Sequence, residues 1–105
     1  MTFEDYVENC KKTQNLDELS GHDLKSYMAI GLAGEAGEVV NVAKKLQFYK
    51  RDKATRILLK TLLCEEMGDL FYYLVNTCDA FGIDINDVMK LNAKKVDKVY
   101  QDFAD

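Results

Sequence analysis

Hydrophobic residues recur with the period of an α-helix along most of this 105-residue chain. Apolar side chains spaced three and four positions apart mark one face of a helix, and no useful length of chain alternates as a half-buried strand would. The pattern predicts four helices, over residues 2–13, about 23–49, about 54–81, and 85 through 103. We therefore predict one all-α domain, residues 1–105, built as a four-helix bundle.

Local sequence predicts where these helices begin and end. Thr2 with Asp5 fits a capping box for the first helix, Gly82 fits a C-terminal cap for the third, and Asp84 fits an N-terminal cap for the fourth. The polar residues 14–24 are expected to connect the first two helices, and the charged residues 50–53 to form the next turn.

A pair of acidic residues interrupts the apolar stripe of the second helix. At about 100° per residue, Glu35 falls in the middle of that stripe and Glu38 at its edge. The stripe consists of Met28, Leu32, Val39, Val42 and Leu46. A single glutamate in such a place is usually solvated, because burying an unpaired carboxylate is costly.

The third helix repeats the arrangement. Glu66 and Asp69 lie one turn apart on a ridge, and Glu65 falls on the far side of Asp69, where we expect it to be solvated. The ridge also carries Leu62, Leu70 and Tyr73. In the fourth helix, Asn92 breaks the apolar stripe and Lys95 follows one turn later. Polar pairs on the inward stripes of three helices together predict a functional site.

Four carboxylates that face one another repel, and a cation between them relieves the repulsion. The ligands would all be oxygen atoms, because the single histidine, His22, lies in the connecting segment. This ligand set disfavours zinc and the Glu-x-x-His pairs of di-iron bundles. It favours Mg²⁺ first and Mn²⁺ second, with a substrate that carries a di- or triphosphate.

Three glycines lie among these acidic residues, at positions 31, 34 and 37. Each glycine weakens a helix interior by about 1 kcal/mol relative to alanine. Together they leave the helix surface bare beside the carboxylates. Two interpretations are open: a close helix crossing, or room for a nucleotide.

Charge and hydropathy argue against a protein that binds duplex nucleic acid, spans a membrane or is secreted. The net charge of -4 argues against binding of duplex nucleic acid. The longest apolar run, residues 70–75, is too short to span a membrane, and the acidic start lacks the layout of a secretory signal. We expect a cytoplasmic protein.

Cys64 and Cys78 lie on an apolar helix face and are expected to be small buried hydrophobes, with metal or redox roles as the alternative.

The third helix is apolar around most of its circumference, and only three other helices are available to cover it. Small domains bury a low fraction of their surface alone. The leftover apolar faces predict a homo-oligomer, a dimer or a tetramer. The alternative is that the first helix and residues 14–24 cover the remaining face.

Three segments together resemble the MazG-type nucleoside triphosphate pyrophosphohydrolases of the all-α superfamily. They are GLAGEAGEVVNVAKK (31–45), EEMGDLFYYLV (65–75) and GIDINDVMKLNAKKV (82–96). The family signature is an E-x-x-E pair followed, one helix later, by an E-x-x-D pair. The resemblance covers roughly residues 24–100, most of the chain.

The resemblance implies a MazG-like bundle that cleaves nucleoside triphosphates between the α- and β-phosphates with Mg²⁺, releasing a monophosphate and pyrophosphate. It implies metal-binding and catalytic roles for Glu35, Glu38, Glu66 and Asp69. Substrate contacts are expected from Asn92, Lys95, Lys45 and Tyr73. Many relatives have an arginine shortly after the N-x-x-K motif, where this chain has Lys98. Clearance of unwanted nucleotides from the cellular pool is one role such an enzyme could fill.

Two other functions remain open. One is phosphoribosyl-ATP pyrophosphohydrolase, which belongs to the same superfamily and breaks the same bond. The other is a helical interaction module without catalysis, although intact carboxylate pairs on apolar faces speak against it. The preferred base and sugar do not follow from the metal motif.

Overall fold

The computed structural model describes residues 1–14, 18–49 and 51–104, and these residues form an all-α fold. The helices are α1 (Phe3–Lys12), α2 (Gly21–Phe48), α3 (Lys53–Ala80) and α4 (Ile85–Ala104). The predicted fold class is confirmed. Part of the predicted connection, residues 15–17, and Lys50 of the predicted turn lie outside the described residues, as does Asp105.

The predicted caps are confirmed at three helix ends. The backbone N–H of Asp5 donates to the Thr2 hydroxyl at 3.0 Å, and the N–H of Thr2 donates to the Asp5 carboxylate at 3.3 Å. Gly82 ends α3 with a left-handed φ of 71°, a conformation that glycine adopts without strain. The Asp84 carboxylate accepts from the N–H of Asn86 at 2.9 Å, which caps α4.

Two predicted boundaries were wrong by a short distance. α2 begins at Gly21, so the connection is shorter than residues 14–24, and the N-terminal residue Ser20 makes no side-chain cap. Serine is a preferred N-cap residue, but the Ser20 side chain makes no capping hydrogen bond among the described residues, and the polar residues around it favoured a connection. α3 begins at Lys53, inside the predicted turn, because the Asp52 carboxylate accepts from the N–H of Thr55 at 2.7 Å and starts the helix there.

α2 and α3 form a long helical hairpin, and α1 packs on the C-terminal part of α3. The core between α1, α3 and the start of α4 consists of Val7, Cys10, Val75, Cys78 and Ile85. Asn76 is completely buried beside this core, and its amide donates to the carbonyl of Cys10 at 3.0 Å. This bond joins α1 to α3 and gives the buried Asn76 amide nitrogen a partner, whereas the Asn76 Oδ1 atom has none among the described residues.

α4 stands away from the other helices. Apart from Ile85, which joins the core with residues of α1 and α3, α4 approaches only α3 among the described elements, and every residue from 86 to 104 is exposed. The radius of gyration is 17.0 Å, against about 13 Å for a compact domain of this length. The apolar residues of α4 that remain exposed are Val88, Met89, Leu91, Val96, Val99, Tyr100 and Phe103.

The prediction for the cysteines was correct for Cys78, which is buried, and wrong for Cys64, which is exposed. α1 packs on the C-terminal part of α3, so α2 is the only described helix that lies against the N-terminal part. Leu58, Leu62 and Met67 are exposed there as well. Within the described residues, no helix combines the length and the apolar character that crossing a membrane requires.

Candidate metal centre

Three carboxylates from two helices meet in the middle of the hairpin. Glu35 of α2, Glu66 and Asp69 of α3 each offer an oxygen atom, and these atoms lie within 4.8 Å of one another. Glu35 and Glu66 are half-buried and Asp69 is exposed. The i, i+3 spacing of Glu66 and Asp69 puts both on one side of α3, facing the stripe of α2 that contains Glu35.

Glu35 is the most perturbed member of the cluster. Its Oε2 atom is buried and has no hydrogen-bond partner among the described residues. Burial raises the pKa of Glu35 first, the charge of Asp69 raises it further, and a hydrogen bond with Glu66 adds to the shift. Such a shift arises because burial and like charges both disfavour the ionised carboxylate.

Glu38 lies one turn further along α2 and is exposed. Its negative charge contributes to the raised pKa of Glu35, so the two carboxylates are close. Glu38 is nevertheless not part of the three-carboxylate group. The structure therefore brings together three of the four acidic residues in the motif and places the fourth beside them.

Glu35→Gln should raise the melting temperature of the cation-free protein by a few degrees at neutral pH. Because the folded-state pKa of Glu35 lies above its ordinary value, folding favours the protonated form. That contribution to stability is present at low pH and is lost as the pH rises through the folded-state pKa. Glutamine does not ionise, so the variant avoids the loss.

Differential scanning calorimetry with a chelator tests this expectation. The gain should disappear below about pH 4, where the carboxyl group of the unfolded chain is also protonated. Glu8→Gln, on the exposed surface of α1, is the control and should show no comparable gain. An equal gain for Glu35→Gln at both pH values would mean that charge is not its cause.

Tyr73 packs beside the carboxylates and explains one of the glycines. A methyl group at Gly31 would overlap the Tyr73 ring, whereas one at Gly34 or Gly37 would meet no atom of the described residues within 4 Å. The first interpretation, a close helix crossing, is therefore correct for Gly31. Gly34 and Gly37 instead leave an open surface on α2. Tyr73 also contacts Tyr27, with ring centroids 6.4 Å apart.

Alanine should have opposite effects at Gly31 and Gly34. In a helix interior alanine is more favourable than glycine by about 1 kcal/mol, so Gly34→Ala should raise the free energy of unfolding by that amount. Gly31→Ala should lower it by about 1–3 kcal/mol, because the methyl group overpacks the site held by Tyr73. Urea denaturation measures both values, and an equal gain at the two positions would contradict the packing argument.

The predicted substrate-binding residues of α4 lie apart from the carboxylates within one chain. Asn92 and Lys95 are exposed on α4, which contacts α3 but not α2 among the described elements. Lys45 is exposed near the end of α2. It lies about 15 Å along the helix axis from Glu35. Of the four predicted substrate-binding residues, Asn92, Lys95, Lys45 and Tyr73, only Tyr73 lies beside Glu35. The charge of Glu35 contributes to the raised pKa of Tyr73.

Tyr6 is a neighbour of the site that the sequence did not single out. Its hydroxyl donates to the carbonyl of Gly68 at 3.4 Å. The pKa of Tyr6 is raised to about 12. Burial is the largest cause, followed by the interaction with Cys10 and the charge of Asp69. Helical periodicity places Tyr6 on the inner face of α1, but it contains no information about which part of α3 that face meets.

The geometry defines an all-α protein with an acidic centre between two long helices. Residues 23–103 match the family model of the MazG nucleotide pyrophosphohydrolase domain. The chain belongs to this family, as the resemblance predicted. Residues 1–22, which include α1, lie outside the matched range.

One relative is the Gene 37 protein of Mycobacterium phage L5, which is 33% identical over 73 residues. The matched segment covers 68% of this chain and 61% of the phage protein. The chain thus matches less than two thirds of that relative's length. No solved structure matches the chain with significant similarity.

Proposed function

We propose that this protein hydrolyses nucleoside or deoxynucleoside triphosphates to a monophosphate and pyrophosphate, with Mg²⁺ as the cofactor and Mn²⁺ as a substitute. The observation that carries the proposal is the meeting of Glu35, Glu66 and Asp69 within 4.8 Å. Family membership supports the reaction class. The phosphates would lie on the open surface of α2 beside these carboxylates.

The donor set fits a hard divalent cation. The three-carboxylate group contains neither histidine nor cysteine, and Mg²⁺ prefers oxygen ligands. The buried Oε2 atom of Glu35 has no partner among the described residues, and a cation would supply one. Bound Mg²⁺ would neutralise charge on the phosphates and on the leaving pyrophosphate.

Glu35, Glu66 and Asp69 are the proposed ligands, and Glu38 completes the set from the next turn of α2. One of the glutamates orients or deprotonates the water that attacks the α-phosphorus. The attack breaks the bond between the α-phosphorus and the bridging oxygen, and that oxygen leaves with pyrophosphate. Lys95 and Lys45 are proposed phosphate contacts, with Asn92 and Tyr73 as further substrate contacts.

We also propose that the working unit is a homodimer or a tetramer. Asn92 and Lys95 lie on α4, which makes no contact with α2 within the described chain. A second subunit whose α4 packs on the exposed side of the hairpin would bring both residues to the carboxylates. The accessible surface of the single chain supports this, at 8065 Å² against about 6,000 Å² for a compact protein of the same mass.

A nucleotide panel with Mg²⁺ tests the reaction. Deoxynucleoside and ribonucleoside triphosphates and phosphoribosyl-ATP are incubated with the protein, and pyrophosphate, orthophosphate and monophosphate are quantified. In ¹⁸O-labelled water the label should enter the monophosphate, because water attacks the α-phosphorus. A nucleoside diphosphate and orthophosphate as main products would rule out the proposal, and exclusive turnover of phosphoribosyl-ATP would reassign the substrate.

A further inference from the structure

A groove between α1 and α3 opens beside the carboxylate cluster. Its volume is about 400 Å³, within the range of about 300–1,000 Å³ that is usual for small-molecule sites. The residues that give it chemical character are Tyr6 and Asn9 of α1, Thr13 directly after α1, and Glu65, Asp69 and Tyr72 of α3. Asp69 belongs both to this groove and to the carboxylate cluster.

The charge of the groove determines which part of a nucleotide it suits. Glu65 and Asp69 line it, and the described lining residues include no lysine or arginine. Anionic phosphates would be repelled there. An uncharged group attached to a phosphate held at the cluster would meet no such repulsion, and Glu65 could accept a hydrogen bond from an amino or hydroxyl group.

The walls of the groove are fixed while one polar side chain is free. The Thr13 hydroxyl contacts the Tyr72 hydroxyl at 3.1 Å, and Tyr6 is bonded to the carbonyl of Gly68. Asn9 is exposed and makes no hydrogen bond with other described residues. An asparagine amide pairs with a base edge that presents a donor beside an acceptor, and aromatic rings stack on the face of any base.

We propose that this groove receives the nucleobase of the substrate and that Asn9 is a specificity-determining residue for it. The proposal rests on the proposed function, since it places the triphosphate at the neighbouring carboxylates. The α1 wall lies outside the residues that match the family model. Base preference would therefore depend on α1, which lies outside the family match, as well as on the α3 wall of the groove.

Asn9→Ala tests the proposal through the ranking of substrates. The variant should lower kcat/KM for the preferred nucleotide by about 5–100-fold, mainly because KM rises. The kcat/KM for this nucleotide should then approach the kcat/KM values for nucleotides with other bases. Gln47→Ala removes an exposed amide of α2 outside the groove, so its ranking should equal that of the wild type. An unchanged ranking in Asn9→Ala, with its helical content intact by circular dichroism, would overturn the proposal.

Binding of uncharged nucleosides separates this proposal from the proposed reaction. In two-dimensional ¹⁵N–¹H spectra without metal, the nucleosides should shift the side-chain amide of Asn9 and the backbone amides of residues 9–13, and the Asn9→Ala variant should lose most of the backbone shifts. Shifts confined to the surface around Gly34 and Gly37 would overturn the groove as the base site. If nucleosides change the chemical shifts of groove residues but the protein hydrolyses no triphosphate, the proposed reaction is refuted and the assignment of the groove as a base site remains.

Discussion

Glu66→Gln should reduce pyrophosphate release by at least about 100-fold, a loss of the size seen when an electrostatic stabiliser of the transition state is removed. Glu66 is one of the three clustered carboxylates, and its interaction with Glu35 contributes to the raised pKa of Glu35. The amide keeps the shape of the side chain but removes a negative oxygen ligand. The helical circular dichroism spectrum should be unchanged, because the residue lies on a half-buried face rather than in the core.

Thermal unfolding with and without Mg²⁺ connects the loss of activity to the cation. A ligand that binds only the folded state raises the melting temperature, so Mg²⁺ should stabilise the wild type and have little effect on Glu66→Gln. Glu8→Gln makes the same charge change on the surface of α1 and should retain both activity and the Mg²⁺ response. Near-wild-type turnover by Glu66→Gln would show that the ligand assignment is wrong.

Val96→Glu should convert the proposed oligomer into monomers and remove most of the proposed hydrolytic activity. Val96 is 57% exposed in the single chain, on the side of α4 where the helical pattern also puts Asn92 and Phe103. Burying a charged residue in an apolar interface without a partner is costly. If the same interface carries Lys95 to the carboxylates, loss of assembly also leaves the substrate site incomplete.

Sedimentation equilibrium at micromolar protein measures the assembly directly. Gln101→Glu adds the same charge on the opposite side of the helix, about 180° from Asn92 on a helical wheel, and should remain assembled and active. A wild-type protein that is fully active at the mass of one chain would contradict the proposed oligomer. A Val96→Glu variant that is monomeric yet fully active would separate assembly from catalysis.

The sequence was sufficient for the number and type of the helices and for the meeting of Glu35, Glu66 and Asp69, because both depend on local periodicity. Glu35 could be placed opposite Glu66 and Asp69 from two helical wheels and one short turn. The approximate lengths of the helices and the caps at Thr2 and Asp84 also follow from residues that are neighbours in the sequence. These features need no information about how distant elements pack.

The remaining features depend on long-range packing. Whether Cys64 is covered depends on where α1 lies along α3. Long-range contacts set this position, among them the bond between Asn76 and the carbonyl of Cys10. The contact of Gly31 with Tyr73 depends on the depth of the helix crossing. The groove beside Asp69 exists only because α1 leaves a gap there, and no periodic pattern predicts such a gap.

The contact between Gly31 and Tyr73 also limits how this sequence can diverge. Any side chain at position 31 would overlap the Tyr73 ring, and displacing that ring would disturb the neighbourhood of Glu35. Substitutions at positions 31 and 73 are therefore coupled. A smaller residue must replace Tyr73 before a larger residue can replace Gly31. Gly34 and Gly37 face open space, so packing alone places no such restriction on them, and any restriction found there would have to come from a ligand or a second subunit.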